Sequence, residues 1–218
     1  MKNCLIAPSI LSADFKYLEK EIKKVEEAGA DFLHFDVMDG HFVKNISFGI
    51  PVLKCIAHAH HLVNDVHIMI SNPLEYAKKF VESGADYVTF HYEACKNDAE
   101  IEEIIDVIHD ANGKAGLSIK PNTPLDVVFP FLEKLDLVLI MSVEPGFGGQ
   151  AFIEESLGRI LRLKTYIDLH GYKTLVEVDG GINDVTGPLC KQMGADILVS
   201  GSYIFKSSDV KSAIEKIK

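Results

Sequence analysis

The tripeptide Gly29-Ala30-Asp31 recurs as Gly84-Ala85-Asp86 and as Gly194-Ala195-Asp196. Each copy follows a helical pattern and precedes a short apolar run, so its glycine suits a helix end and the run suits a buried strand. The first two copies lie 55 residues apart in the sequence and the last two lie 110 apart, which is twice as many. This spacing predicts a repeated β-then-α unit, with two units in about 55 residues and eight in the chain.

Apolar runs of strand length alternate with helical patterns along the whole chain. The predicted strands cover residues 5–10, 32–37, 66–70, 87–90, 115–119, 137–141, 175–178 and 197–199. Apolar residues at i, i+3 and i+4 predict helices at 15–28, 74–83, 101–111, 125–134, 154–169 and 210–217, with weaker patterns at 51–59 and 185–193. Near-continuous apolar strands between helices indicate a parallel sheet that helices cover.

The number of strands and the length of the chain favour closure of this sheet. We predict an α/β fold in which residues 1–218 form a single-domain (β/α)8 TIM barrel with a catalytic function. An open doubly wound sheet is the alternative. It has less support because no G-x-G-x-x-G motif follows the first predicted strand.

Composition narrows the classes of partner. The chain has 22 basic and 32 acidic side chains and a formal net charge of −10, which argues against nucleic acid and membrane surfaces. No apolar run approaches the roughly 20 residues of a membrane-spanning helix. The four cysteines lie far apart, and the segment before Pro8 is too short for a signal peptide, so we expect a reduced, cytoplasmic setting.

Polar residues at the ends of predicted strands are the candidates for chemistry, because a barrel of this type works at that rim. Side chains two apart on a strand share a face, so His34 and Asp36 point inward together, as do Glu177 and Asp179. With His67 they bring imidazole and carboxylate groups to one barrel mouth. We therefore predict a divalent-metal site there.

Three other histidines resemble a ligand cluster but lie on the wrong side. His58, His60 and His61 fall between a helix and the following strand, at the opposite rim of the barrel. We expect them to be solvated loop residues.

Glycine-rich turns after the last three strands predict a phosphate pocket. They are the segment 144–150, the pair Gly180-Gly181 and the turn Ser200-Gly201-Ser202. Glycine lets backbone N–H groups approach an anion closely, and the loops after strands seven and eight hold phosphate in many barrels. No lysine or arginine accompanies these turns, so the pocket would rely on backbone dipoles.

A cation, two carboxylates and a phosphate pocket at one mouth suit carbon-acid chemistry on a sugar phosphate. A cation stabilises the enediolate, and carboxylates on its two faces would remove and return a proton with inversion at carbon. Met38, Met69 and Met141 would either line this site or only fill the core.

The residues that carry this pattern closely resemble ribulose-phosphate 3-epimerases. The resemblance spans the chain and is strongest in the segments 7–11, 34–43, 143–150 and 176–182. It implies an epimerase of the pentose phosphate pathway that interconverts ribulose 5-phosphate and xylulose 5-phosphate. It further implies a homo-oligomer, a dimer or a hexamer, with one divalent ion per subunit, zinc or iron(II) in the first place and manganese or cobalt otherwise.

The resemblance also assigns roles to residues. It implies that Asp36 accepts the proton and Asp179 donates it in one direction, and that both bind the ion together with His34 and His67. The residues implied to contact substrate or its phosphate are Ser9, His67, Gly146, Phe147, Gly148, Gly149, Gly180, Gly181, Gly201 and Ser202.

Some alternatives stay open. The chain has Lys44 where most members have proline, and allulose 6-phosphate epimerases share the pattern, so the substrate has two candidates. The role of Glu177, catalytic or structural, is also open. Lys120 at the end of the fifth strand allows a Schiff-base aldolase. A non-catalytic phosphate-binding barrel is disfavoured, because an anion sensor gains nothing from paired carboxylates.

Overall fold

The computed structural model describes residues 4–218 and contains eight parallel strands in one sheet. The sheet order is β1, β8, β7, β6, β5, β4, β3, β2, and a parallel bridge between Ser9 and His34 brings the two outer strands together. The strands are β1 (Leu5–Pro8), β2 (Phe32–Met38), β3 (Val63–Met69), β4 (Tyr87–His91), β5 (Lys114–Ile119), β6 (Leu137–Met141), β7 (Leu175–Asp179) and β8 (Ile197–Ser200). The predicted (β/α)8 barrel is confirmed.

Helices follow the strands and cover the outside of the barrel. They are α1 (Leu18–Glu27), α2 (Ile50–Ile56), α3 (Pro73–Val81), α4 (Asp98–Asp110), α5 (Ser156–His170), α6 (Thr186–Gln192), α7 (Ser202–Phe205) and α8 (Val210–Ile217). Local chemistry sets several ends: Asn97 accepts a hydrogen bond from the N–H of Glu100 where α4 begins, and Gly171, with φ of 71°, ends α5.

The alternation of side chains along the strands divides the core into two parts. Phe35 and Val37 of β2 pack outward against the helices in the main apolar cluster. Leu137, Leu139 and Met141 of β6 point inward and fill the barrel with apolar residues from the other strands. The predicted orientation of alternate residues is therefore confirmed, and it leaves the inward positions near the strand ends for polar groups.

A series of aspartates links neighbouring strands in pairs at the rim of the barrel where the strands begin. Each of these side chains accepts a hydrogen bond from the N–H of the second residue in an odd-numbered strand. The pairs are Asp31 with Ile6 at 2.9 Å, Asp86 with Asn64 at 2.7 Å, Asp136 with Ala115 at 2.9 Å and Asp196 with Val176 at 3.1 Å. The two-unit repeat read from Gly-Ala-Asp thus has a structural basis, and Asp136 supplies the missing copy.

The structure differs from the sequence prediction in a few elements. The segment 125–134 is not an α-helix but a 3₁₀ helix, Leu125–Phe131, because Pro130 inside it cannot donate a backbone hydrogen bond. β1 ends at Pro8, where the residues Ile10–Ser12 form a 3₁₀ turn, and β3 begins three residues earlier than predicted, at Val63.

Within residues 4–218, every helix is too short or too polar to span a lipid bilayer.

Candidate active site

Four of the predicted site residues meet at the mouth of the barrel where the strands end. One ligand atom from each of His34, Asp36, His67 and Asp179 lies within 4.8 Å of the others. The register of β2 against β3 places His67 directly beside Asp36. Asp36 Oδ1 is 3.3 Å from His34 Nε2 and 3.3 Å from His67 Nδ1, so it lies between the two imidazoles.

Asp36 is held from several sides. Ser9 Oγ donates to Asp36 Oδ2 at 2.5 Å, and Ser47 Oγ donates to the backbone carbonyl of Asp36 at 2.6 Å. Both Ser9 and Asp36 are buried. The carboxylate therefore keeps one orientation, with Oδ1 toward the imidazoles.

Each histidine of the cluster is held through the ring nitrogen that points away from Asp36. His34 Nδ1 lies 2.5 Å from Asp65 Oδ2, and His67 Nε2 lies 2.8 Å from His91 Nε2. The nitrogens left facing Asp36 are His34 Nε2 and His67 Nδ1. The sequence alone assigned no role to His91 or Asp65, because their contacts with the two histidines depend on how neighbouring strands pair.

Burial and neighbouring charges set the proton affinities of the site. Burial lowers the pKa of His34, but the carboxylates of Asp36 and Asp65 outweigh it and raise the pKa well above its usual value. Burial raises the pKa of Asp36, but the charge of the nearby His34 and the hydrogen bond and charge of His67 lower it further than burial raises it. Asp36 is therefore ionised.

The pKa of Asp179 is shifted in the opposite direction from that of Asp36. Burial, followed by the negative charge of Asp36, raises the pKa of Asp179 to about 6. The two carboxyl groups thus differ in proton affinity, which is the asymmetry that an acid and a base on one site require. Burial and the neighbouring Asp65 also raise the pKa of Glu177, which lies in the barrel interior beside His34.

A cleft of about 600 Å³ opens above the cluster. Asp36 and Asp179 form part of its floor, and Met38, Met69 and Met141 line it. His34 and His67 lie beneath this floor and are fully buried. The residues predicted to hold substrate that line the cleft are Ser9, Gly146, Phe147, Gly148, Gly149, Gly180, Gly181, Gly201 and Ser202.

Two glycines after β7 have a conformation that other residues avoid. Gly180 and Gly181 have φ values of 124° and 66°. A Cβ at Gly180 would lie 2.6 Å from a methyl group of Val143, and one at Gly181 would lie 2.6 Å from the backbone nitrogen of Phe152. The loops after β6 and β7 are therefore packed together through these glycines.

One cation near these loops was missed. Lys206, which follows α7, contributes to the cleft, whereas the sequence had suggested a pocket without lysine or arginine. No pattern in the sequence pointed to Lys206, because α7 is a short helix that had not been predicted.

The other residues that the sequence suggested for a site lie outside the cleft. The ammonium of Lys120 rests on the face of the Phe42 ring, 4.2 Å from its centroid, and Lys120 is not among the described residues that line the cleft. His58, His60 and His61 lie at the opposite rim as predicted, but His60 is buried rather than solvated and accepts a hydrogen bond from the N–H of Leu62.

The four-residue cluster fits a divalent metal ion. His34 Nε2 is buried and has no hydrogen-bond partner among residues 4–218, although it faces the cluster. Two imidazole nitrogens and two carboxylate oxygens are a donor set that zinc and other first-row divalent ions accept. The residues therefore could hold such an ion.

Comparisons with known proteins point to one family. Residues 5–205 match the model of the ribulose-phosphate 3 epimerase family. The chain is 46% identical over 214 residues to a ribulose-phosphate 3-epimerase of Bacillus subtilis, covering 98% of this chain and 97% of that protein. It is 46% identical over 213 residues to the enzyme of the same name from Methanocaldococcus jannaschii, covering 98% and 89%.

Solved structures share the fold at low sequence identity. The 3-hexulose-6-phosphate synthase of Salmonella typhimurium is 19% identical, with a TM-score of 0.68 over 98% of this chain and 96% of that chain. The protein KGPDC from Streptococcus mutans is 14% identical, with a TM-score of 0.72 over 99% and 96%. These likenesses concern the barrel alone.

Proposed function

Because the chain belongs to the ribulose-phosphate 3-epimerase family, and is thus an isomerase that acts on carbohydrates, we propose that it inverts C3 of a ketose phosphate. The substrate pair is D-ribulose 5-phosphate and D-xylulose 5-phosphate, as in the pentose phosphate pathway. The observation that carries the proposal is the pair Asp36 and Asp179 on the floor of one cleft. The pKa of Asp36 is lowered and that of Asp179 is raised.

The proton moves between two carboxyl groups in this reaction. Asp36, ionised and held by Ser9, takes the proton from C3 on one face of the sugar, leaving a planar enediolate. Asp179 returns a proton to C3 on the other face, so the configuration inverts. In the reverse direction the two residues exchange roles.

The metal site belongs to the same proposal. His34, Asp36, His67 and Asp179 would hold one divalent ion, zinc or iron(II) in the first place, with manganese and cobalt as alternatives. When bound, such an ion supplies positive charge that stabilises the negative oxygens of the enediolate. The His34 Nε2 atom, buried without a partner among the described residues, supports this assignment.

The phosphate lies among the glycine turns in this proposal. Gly146 to Gly149, Gly180, Gly181, Gly201 and Ser202 line the cleft, and Lys206, which also lines it, adds a positive charge. Ser9 lies beside Asp36 and lines the cleft, where it would contact the sugar, whereas His67 is fully buried below the floor and is proposed only as a ligand of the ion. The family resemblance further supports a homo-oligomer, which sedimentation velocity would establish.

One preparation tests both the substrate and the metal. Turnover is measured on D-ribulose 5-phosphate and on D-allulose 6-phosphate, with elemental analysis of the same sample. We expect a higher kcat/KM on the pentulose phosphate and about one divalent ion per chain. A higher kcat/KM on the hexulose phosphate would contradict the substrate, and full activity in a metal-free sample would contradict the ion.

A further inference from the structure

We propose that Glu93 positions His67 for the metal ion through His91, which makes Glu93 and His91 positioning residues of the site. The inference rests on the proposed metal site. It adds that a carboxylate outside the ligand set decides which nitrogen of His67 is available to the ion.

The contacts form an unbroken chain from the cluster to the loop after β4. His67 Nδ1 faces Asp36, and His67 Nε2 lies 2.8 Å from His91 Nε2. His91 Nδ1 lies 3.1 Å from Glu93 Oε2. Both imidazoles are fully buried, and their ring centroids are 4.9 Å apart. Water is therefore not needed to connect them.

The chemistry of the last group fixes the hydrogens along the chain. A carboxylate only accepts hydrogen bonds, so His91 Nδ1 must carry a proton toward Glu93. A neutral His91 then has a bare Nε2, which accepts, so His67 Nε2 must donate. His67 Nδ1, 3.3 Å from Asp36 Oδ1, is then the nitrogen whose proton a metal ion can replace. Outer partners of this kind set the tautomer of histidine ligands in metal sites.

Glu93 itself is held in place by its second oxygen. The N–H of Lys120 donates to Glu93 Oε1 at 2.7 Å, and the hydroxyl of Thr123 donates to the same oxygen. Glu93 Oε1 therefore binds the loop after β5, and Glu93 Oε2 contacts His91. The two functions of the carboxylate lie on different atoms and can be separated by mutation.

The substitution Glu93→Gln reverses the direction of the hydrogen bonds between residue 93, His91 and His67 without breaking them. The N–H of Lys120 can only donate, so the amide oxygen of the new side chain must take its place as Oε1. The amide nitrogen then faces His91 and donates to Nδ1. His91 Nε2 becomes the donor toward His67, so a neutral His67 has its only proton on Nδ1, where it blocks the ion.

The matched control is Thr123→Val. It removes one donor to Glu93 Oε1 and leaves the contact of Oε2 with His91 in place. A purely structural role of Glu93 would be disturbed by either substitution. A positioning role would be disturbed by Glu93→Gln alone.

Two measurements on metal-free protein test the proposal: the Co²⁺ dissociation constant by chelator competition, and the ring ¹⁵N–¹H NMR spectrum of the histidines. We expect Glu93→Gln to weaken Co²⁺ binding by about 10–100-fold. We also expect it to remove the proton from His67 Nε2, while Thr123→Val leaves both that proton and the Co²⁺ affinity unchanged.

Co²⁺ affinity within a factor of about three of the parent, with His67 Nε2 still protonated in Glu93→Gln, would overturn the proposal. Equal loss of affinity in both variants with unchanged tautomers would also overturn it. If the parent protein binds no Co²⁺, the proposed metal site fails, and the NMR spectra alone then decide whether Glu93 sets the His67 tautomer.

Discussion

At the rim where the strands begin, aspartates occur in a regular series: Asp31, Asp86, Asp136 and Asp196 each accept a hydrogen bond from an odd-numbered strand. At the rim where the strands end, the acids follow no such series, and Asp36 and Asp179 meet at one point with two histidines. The same residue type thus serves architecture where it repeats and chemistry where it does not. This difference separates the two rims without reference to any relative.

We call the rim where the strands end the upper rim and the rim where they begin the lower rim. The largest effect should come from substitutions at the upper rim. Asp36→Asn and Asp179→Asn should each lower kcat/KM by about 10²–10⁴-fold, because each removes one of the two groups that move the proton. Both variants should stay folded, and Asp36→Asn should melt at a lower temperature than the parent, because the lowered pKa of Asp36 means that its carboxylate stabilises the fold. Steady-state kinetics and circular dichroism check this. A variant with near-parental turnover would exclude that carboxyl group from proton transfer.

Glu93 lies at the same rim and does not touch substrate, and its substitution should also lower stability. Burial raises the pKa of Glu93, but hydrogen bonds from His91, Thr123 and the N–H of Lys120 lower it to about 2, against 4.5 in an unfolded chain. A lowered pKa stabilises the fold above pH 4.5, and that contribution disappears as the pH falls toward 2.

Urea unfolding of the parent and of Glu93→Gln at several pH values measures this contribution. The difference in free energy of unfolding should be on the order of 3 kcal/mol near pH 6 and should shrink below pH 4.5. A difference that does not change with pH would show that the Glu93 carboxylate has an ordinary pKa.

The lower rim should respond in stability and not in turnover. Asp31→Ala and Asp136→Ala each leave a strand N–H without its acceptor and should cost about 1–2 kcal/mol of unfolding free energy, with kcat unchanged. Asp31→Asn and Asp136→Asn keep an accepting oxygen and should recover most of that loss. Chemical denaturation measures both. A drop in kcat in these variants would mean that the two rims are not independent.

The smallest effect should come from the exposed histidines of the lower rim. His58→Ala combined with His61→Ala should leave Co²⁺ affinity and turnover unchanged, because both side chains are exposed at the end of the barrel opposite the cleft. Chelator competition provides the test. Weaker Co²⁺ binding in the double variant would show that the opposite rim takes part in binding the ion.

Much of this organisation could be predicted from the sequence. The two-residue period of a strand was sufficient to orient His34 and Asp36 inward and Phe35 outward. The spacing of Gly-Ala-Asp predicted the number of units. It did not reveal Asp136, because Leu135 rather than alanine precedes that residue.

Contacts between strands could not be predicted, since they depend on the register of the barrel. His34 lies beside Asp65 only because β2 and β3 pair in one particular alignment. The link from His67 through His91 to Glu93 likewise needs β3 and β4 in place. The 3₁₀ helix around Pro130 was mistaken for an α-helix, because the apolar spacing alone does not distinguish the two.

Proton exchange at C3 tests the central claim, two carboxyl groups acting on one carbon, most directly. The protein is given D-ribulose 5-phosphate in D₂O, and the first xylulose 5-phosphate formed is analysed by NMR. A proton removed by Asp36 and replaced from Asp179 predicts one deuterium at C3 of that product from the earliest turnovers. Product that retains its original hydrogen at C3 would contradict the account.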